Sequence, residues 1–201
     1  MNTIDFLDQK PRSTSNKLFV VISFIVGIIL SFALKSEVIL NWSNKQIAQS
    51  FTPIFTDNAN AIGVFQSLIF QLNYEIVFIF ISFAASFSLI PKTFLSIILT
   101  VRGYLVAVNT RVIFQASHSI SFFAKSVTCV FMIVCSFVFL HYVWILTDSF
   151  DITNENASTN ELFIIFSVRT RIRLINTLSA CGSIILINLL KALTLSLTLL
   201  F

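Results

Sequence analysis

The residue in this sequence with most capacity for chemistry is Arg102, a guanidinium set inside the apolar run Phe94–Phe114. Placing a cation near the centre of a bilayer costs ~2.5–3.5 kcal/mol even on the lenient insertion scale, so Arg102 is expected to face a protein interior, a wet cavity or a partner. Asn109 lies seven residues further on, nearly under Arg102 on a helix, with Val106 between them. Gly103 and Ala107, four apart, form an interval that lets a neighbouring helix come close. Arg111 sits near the end of the same run, and a helical hairpin would bring Glu75 to a similar depth, which predicts an Arg111–Glu75 bridge. Lys191 interrupts the last apolar run and can snorkel towards an interface.

The other candidates carry less. His118 and His141 are the only histidines. The expected topology sets them on opposite membrane faces, where they cannot share a metal. Cys129 and Cys135 are six apart, largely opposed on a helix, and read as small apolar fillers. Ser82/Ser86 and Ser179/Ser183 repeat at i, i+4 as small residues for helix contact. A serine nucleophile needs a base at matching depth, and only His118 could serve. No phosphate-binding glycine loop and no His-x-x-x-His pair occur, and all nine acids are placed in tails, loops or at the edge residue Glu75. The expectation is a non-enzyme with no catalytic, cofactor or metal residues.

The elements that must hold these residues follow from composition. The chain has 201 residues, 56% apolar and 11% charged, against roughly 45–50% and about 25% in soluble domains. A net charge of +4 at so low a charge density excludes a nucleic-acid-binding or disordered chain. An all-α, polytopic transmembrane bundle of about five spans is expected, a single domain over 18–201 behind a cytoplasmic tail over 1–17. The expected spans are Leu18–Leu34, Ile76–Ile90, Phe94–Phe114, Val127–Leu146 and Leu174–Phe201. Re-entrance of Phe94–Phe114 is the alternative to a crossing. Leu18–Leu34 reads as a retained anchor, since no small-x-small cleavage site precedes Lys35. The stretch Ala61–Leu72, interrupted by Gln66, Ser67 and Gln71, suggests a sixth segment lying in the outer interface.

Orientation follows from the loops. An inside N-terminus puts Lys10, Arg12, Lys17, Lys92, Arg169, Arg171 and Arg173 on the cytoplasmic side, against Lys35, Lys45 and Lys125 outside. The outer loop 35–75 holds Trp42, Pro53 and the Asp57-Asn58-Ala59-Asn60 turn cluster; the inner loop 147–173 is first acidic, then basic.

Asn73 at the start of the second span, Pro91 between helices and Arg102-Gly103-Tyr104 after a hydrophobic run form a pattern that resembles the stage II sporulation protein M family of membrane proteins. The resemblance covers roughly residues 17–147. Where many members carry His-Gly and a downstream Glu, this chain has His118, Ser119 and Phe122, and Ala107 stands near a further family glycine. The resemblance implies a membrane scaffold in the plasma membrane of a bacterium, assembling peptidoglycan-processing partners, with lipids, other envelope proteins and a second copy of itself as contacts. The alternative from the residues themselves is a small permease or transporter subunit with Arg102 lining the path of an anionic solute.

Overall fold

The computed structural model describes residues 14–34, 41, 61–88, 90–115, 122–149 and 159–200, with side chains left out over 61–68, 70, 159–167 and 198–200. Five helices carry the chain: α1 (Thr14–Ala33), α2 (Ala61–Ala85), α3 (Pro91–Gln115), α4 (Phe122–Asp148) and α5 (Thr159–Leu200). Among the described residues there is no strand.

The helices bury small and polar residues among the core apolar ones and leave many bulky apolar side chains facing outward. α1 buries Asn16, Val20, Ser23, Phe24, Gly27 and Ser31, while Leu18, Ile22, Ile29 and Phe32 are exposed. α5 buries Thr177, Ala180, Ile184, Asn188, Lys191 and Leu195 at three- or four-residue intervals and exposes Leu178, Leu186 and Leu193. In water this distribution would forfeit most of the available hydrophobic burial. In lipid it costs nothing, because tails are as apolar as leucine and close packing is what joins helices. Four helices are long and apolar enough to cross a membrane: α1, α3, α4 and the Val168–Leu197 part of α5. The chain is an all-α integral membrane bundle.

Contacts between helices give their directions. Ser23 bonds Ser96 at 3.0 Å and Arg111 reaches the Ser31 carbonyl, so α1 and α3 run parallel. α2 must then run back between them, and it does, from Glu75 beside Arg102 to Ser86 beside Arg173. α4 and α5 are antiparallel, with Tyr142 on Thr177 and Cys135 beside Asn188. The order is up-down-up-down-up. The core is formed by Val20, Ile79, Leu95, Leu99, Phe139, Tyr142, Val143, Leu146, Ala180 and Ile184, drawn from all five helices.

Three boundaries differ from the sequence expectation. The second span does not reach Ile90: α2 ends at Ala85, where Ser82, Ser86 and Ser88 turn their hydroxyls back onto carbonyls three or four residues earlier. Pro91 then opens α3 at its first position, where a missing N–H costs nothing. Secondly, Ala61–Leu72 is no separate interfacial segment. It is the first half of the 25-residue α2, so the outer loop closes at residue 60 rather than 75. Thirdly, α5 begins at Thr159, well before the expected Leu174, and its 42 residues extend over about 63 Å, twice the hydrocarbon thickness. The inner loop is thereby reduced from 147–173 to 149–158. Phe94–Phe114 lies within one continuous helix, α3, not a re-entrant segment. Trp42, Pro53, Asp57–Asn60 and His118 lie outside the described residues.

Candidate functional site: a charged centre within the bundle

Close packing of α1 on α3 sets the frame. A Cβ added to Gly27 would run into the Thr100 carbonyl oxygen and stand 2.9 Å from the Tyr104 amide nitrogen. One added to Gly103 would meet the Phe24 carbonyl oxygen and carbon, the latter at 3.1 Å. The two glycines therefore let two backbones touch in register, each fitting against the other helix. Thr100 spans the same contact, donating to the Ser23 carbonyl at 3.1 Å and to its own Ser96 carbonyl at 2.9 Å.

On the opposite side of α3, Arg102 is 1% exposed and its Nη2 donates to both carboxylate oxygens of Glu75, each at 2.5 Å. The guanidinium carbon lies 5.2 Å from the Tyr74 ring centroid and 5.3 Å from that of Phe78, so two aromatic faces of α2 flank the cation. Tyr74, Glu75 and Phe78 occupy adjacent positions on one turn of α2, which is why a single arginine meets all three. Arg102 Nε has no hydrogen-bond partner among the described residues.

One turn earlier on α2, Gln71 accepts a hydrogen bond from the ammonium of Lys191 on α5. Gln71 and Glu75 are four apart and share a face of α2, so this helix carries two polar contacts, one to α3 and one to α5. Lys191 is buried and near enough to Glu75, Cys129 and Cys135 to interact with each. Asn188, a turn below it, donates to the Ile184 carbonyl at 2.9 Å and approaches the Cys135 sulfur at 3.9 Å. Cys129 meanwhile packs with Val108, Val112 and Ile113 of α3, so the two cysteines do face different helices.

A second polar layer lies towards the end of the bundle where α2 and α4 finish. Tyr142 meets Thr177 at 3.0 Å and the Ile79 carbonyl at 3.4 Å. Arg173 donates from Nε to Ser149 and from Nη1 to the Ser86 carbonyl, both at 3.0 Å, and its guanidinium stands 5.3 Å from the Phe87 ring. It closes the ends of α2 and α4 onto α5.

The structure therefore unites some of the sequence candidates and separates others. Arg102, Gly103 and Glu75 converge. The predicted Arg111–Glu75 bridge is absent: Glu75 is level with Arg102, nine residues or about 13.5 Å short of Arg111 along α3. Arg111 donates instead to the Ser31 carbonyl at 3.3 Å and covers the Phe32 ring at 4.9 Å. Asn109 is half-buried and Asn73 is exposed. Lys191 does not snorkel; it is drawn inward by Gln71. Glu75 is no edge residue, so the expectation that no carboxylate enters the spans is overturned. The Gln71–Lys191 contact was missed, although the i, i+4 spacing of Gln71 and Glu75 in an apolar helix was its signal. Among the described residues no group of three His, Cys, Asp or Glu side chains is placed to hold a metal.

No protein-family model, no curated protein and no solved structure matches this chain. Fold and centre together define a class: an integral membrane helical bundle with an ion pair in its core.

Proposed function

We propose that this protein is a non-enzymatic membrane scaffold, similar in role to the stage II sporulation protein M family, that gathers peptidoglycan-processing partners at the plasma membrane of a bacterium. The observation that carries the reading is how the Arg102 charge is used. Its guanidinium is matched by Glu75 within an interface between two helices, an arrangement that fixes helix positions and offers a solute no free cation. The close crossing at Gly27 and Gly103 adds to the same rigidity. The outer segment 35–60 and the outward helix faces are then the surfaces left for partners, including a second copy.

Crosslinking the tagged full-length protein in native membranes and identifying what is captured tests this. Envelope-remodelling proteins held through the outer segment are the expected result. A stoichiometric cytoplasmic ATPase or a solute-binding protein would overturn it. The second reading, a small permease, is favoured by the buried carboxylate beside two cations, Arg102 and Lys191, a grouping that ion-coupled carriers use. Arg102→Ala separates the two: a scaffold loses assembly or stability, whereas a permease loses flux with its complex intact.

A further inference from the structure

We propose that the outward face of α2 is a dimer interface, in which Asn73 pairs with the same residue of a second copy of this chain across a two-fold axis along the membrane normal. Among the asparagines of the five helices whose side chains are described, Asn16, Asn109, Asn176 and Asn188 are buried or half-buried, and Asn73 is exposed. Asn188 bonds the Ile184 carbonyl of its own helix and Asn16 bonds Asp148, whereas none of the described hydrogen bonds involves the Asn73 carboxamide. Its depth makes that exposure costly. Arg102 is next to the middle residue, Gly103, of the 25-residue α3. Cys135, the middle residue of the 27-residue α4, interacts with both Arg102 and Glu75. Asn73 is two residues from Glu75, about 3 Å along α2, and so lies near the mid-plane of the bundle. Hydrocarbon tails offer an amide neither donor nor acceptor, so an outward carboxamide at this depth stays unsatisfied until another protein surface covers it.

The chemistry of the group selects a second copy as the occupant. A carboxamide carries a carbonyl acceptor and two N–H donors, so two of them facing each other across a two-fold axis each donate and each accept. A partner presenting an acid or a base would bury a charge against a neutral amide. A second copy inserted in the same direction brings the identical group to the identical depth. The rest of the face suits close association. Ile69, Val77, Phe80, Ile81 and Ala84 are exposed, apolar and spaced with Asn73 at three- or four-residue intervals, which lines them along one side of α2. The dimer needs only the place of α2 in the membrane, and it holds for a scaffold and a permease alike.

Self-association of the full-length protein, labelled with donor and acceptor dyes, is followed by energy transfer in phosphatidylcholine vesicles of rising lipid-to-protein ratio. The native chain is expected to dimerise. Asn73→Leu should weaken dimerisation roughly tenfold, and Asn73→Gln, which keeps a carboxamide, should retain most of it. In native membranes, with Cys129, Cys135 and Cys181 replaced by Ala, Val77→Cys should form a disulfide-linked dimer on oxidation. Ile22→Cys should not: it is exposed on α1, which among the described residues touches α3 and α4 but not α2. Val77→Cys keeps Asn73, so its cross-link reads the interface even if Asn73→Leu loses the fold. A protein monomeric at every ratio, or an Asn73→Leu variant that dimerises as tightly as the native chain, overturns the dimer. So does a link through Ile22→Cys with none through Val77→Cys. Capture of a different protein by a photoreactive residue at position 77, with no self-linked product, would put that partner in place of the second copy and equally overturn it.

Discussion

Arg102 and Glu75 share one nitrogen: Nη2 of the arginine lies 2.5 Å from both oxygens of the carboxylate, across the interface between α3 and α2. The pair is a neutral dipole in a setting where either charge by itself would be costly. Its energetic role is therefore asymmetric.

Removing one partner should hurt far more than removing both. Glu75→Gln or Arg102→Leu is expected to cost about 3–5 kcal/mol, because each leaves a charge or its remnant buried without compensation. Glu75→Leu combined with Arg102→Met should recover most of that loss. Thermal unfolding of the detergent-solubilised protein, arranged as a double-mutant cycle, measures the difference. A double-variant loss equal to the sum of the two single losses would mean the pair contributes little.

The glycines predict opposite outcomes by position. Gly27→Ala and Gly103→Ala each push a Cβ into backbone of the facing helix, which cannot retreat as a side-chain tip could. A loss of about 1–3 kcal/mol per substitution is expected, with α1 displaced from α3. Gly182 lies mid-helix and meets nothing within 4 Å, so Gly182→Ala should raise stability by about 0.5–1 kcal/mol. A disulfide-trapping pair across α1 and α3 reports the displacement directly.

Lys191 and Gln71 form a second cycle. Gln71→Leu removes that acceptor from a buried ammonium and should cost about 1.5–3 kcal/mol, the usual range for a lost hydrogen bond to a charged group. Lys191→Met removes the charge itself and should be far milder. The same unfolding measurement distinguishes them, and a larger loss in Lys191→Met than in Gln71→Leu would contradict the contact.

Direction in the membrane is open to chemical labelling. In a background where Cys129, Cys135 and Cys181 are replaced by Ala, a cysteine at Thr14→Cys is expected to react with a membrane-impermeant maleimide only after cells are opened. Phe122→Cys, at the exposed start of α4, should react in intact cells. The reverse pattern would invert the proposed orientation.

Tyr142 and Thr177 tie α4 to α5 with one hydrogen bond between hydroxyls. Tyr142→Phe keeps the ring in the core and removes that bond and the longer one to the Ile79 carbonyl. A loss of about 0.5–1.5 kcal/mol is expected by thermal unfolding, and Thr177 keeps its own bond to the Arg173 carbonyl at 2.7 Å.

What the sequence by itself determined was the solvent and the class of element. Apolar runs such as Leu18–Leu34 and Val127–Leu146 are long enough that only a membrane helix satisfies their backbone, and that follows from local composition alone. It also singled out Arg102 as a residue needing a partner, because the cost of a bare cation in lipid is independent of the fold. Which partner it takes was decided by tertiary structure. Glu75 and Arg111 looked level under the assumption of a span over Ile76–Ile90, but starting α2 at Ala61 and ending it at Ala85 moves Glu75 inside the bundle. Helix ends depend on a few tenths of a kcal/mol in serine back-bonds and proline placement, which a hydropathy pattern does not resolve. The inward course of Lys191 was equally hidden, since snorkelling and pairing with Gln71 differ only once α2 and α5 lie side by side. Length and polarity of a segment are one-dimensional properties of the chain; which charge meets which depends on register and rotation between helices, and only packing sets those.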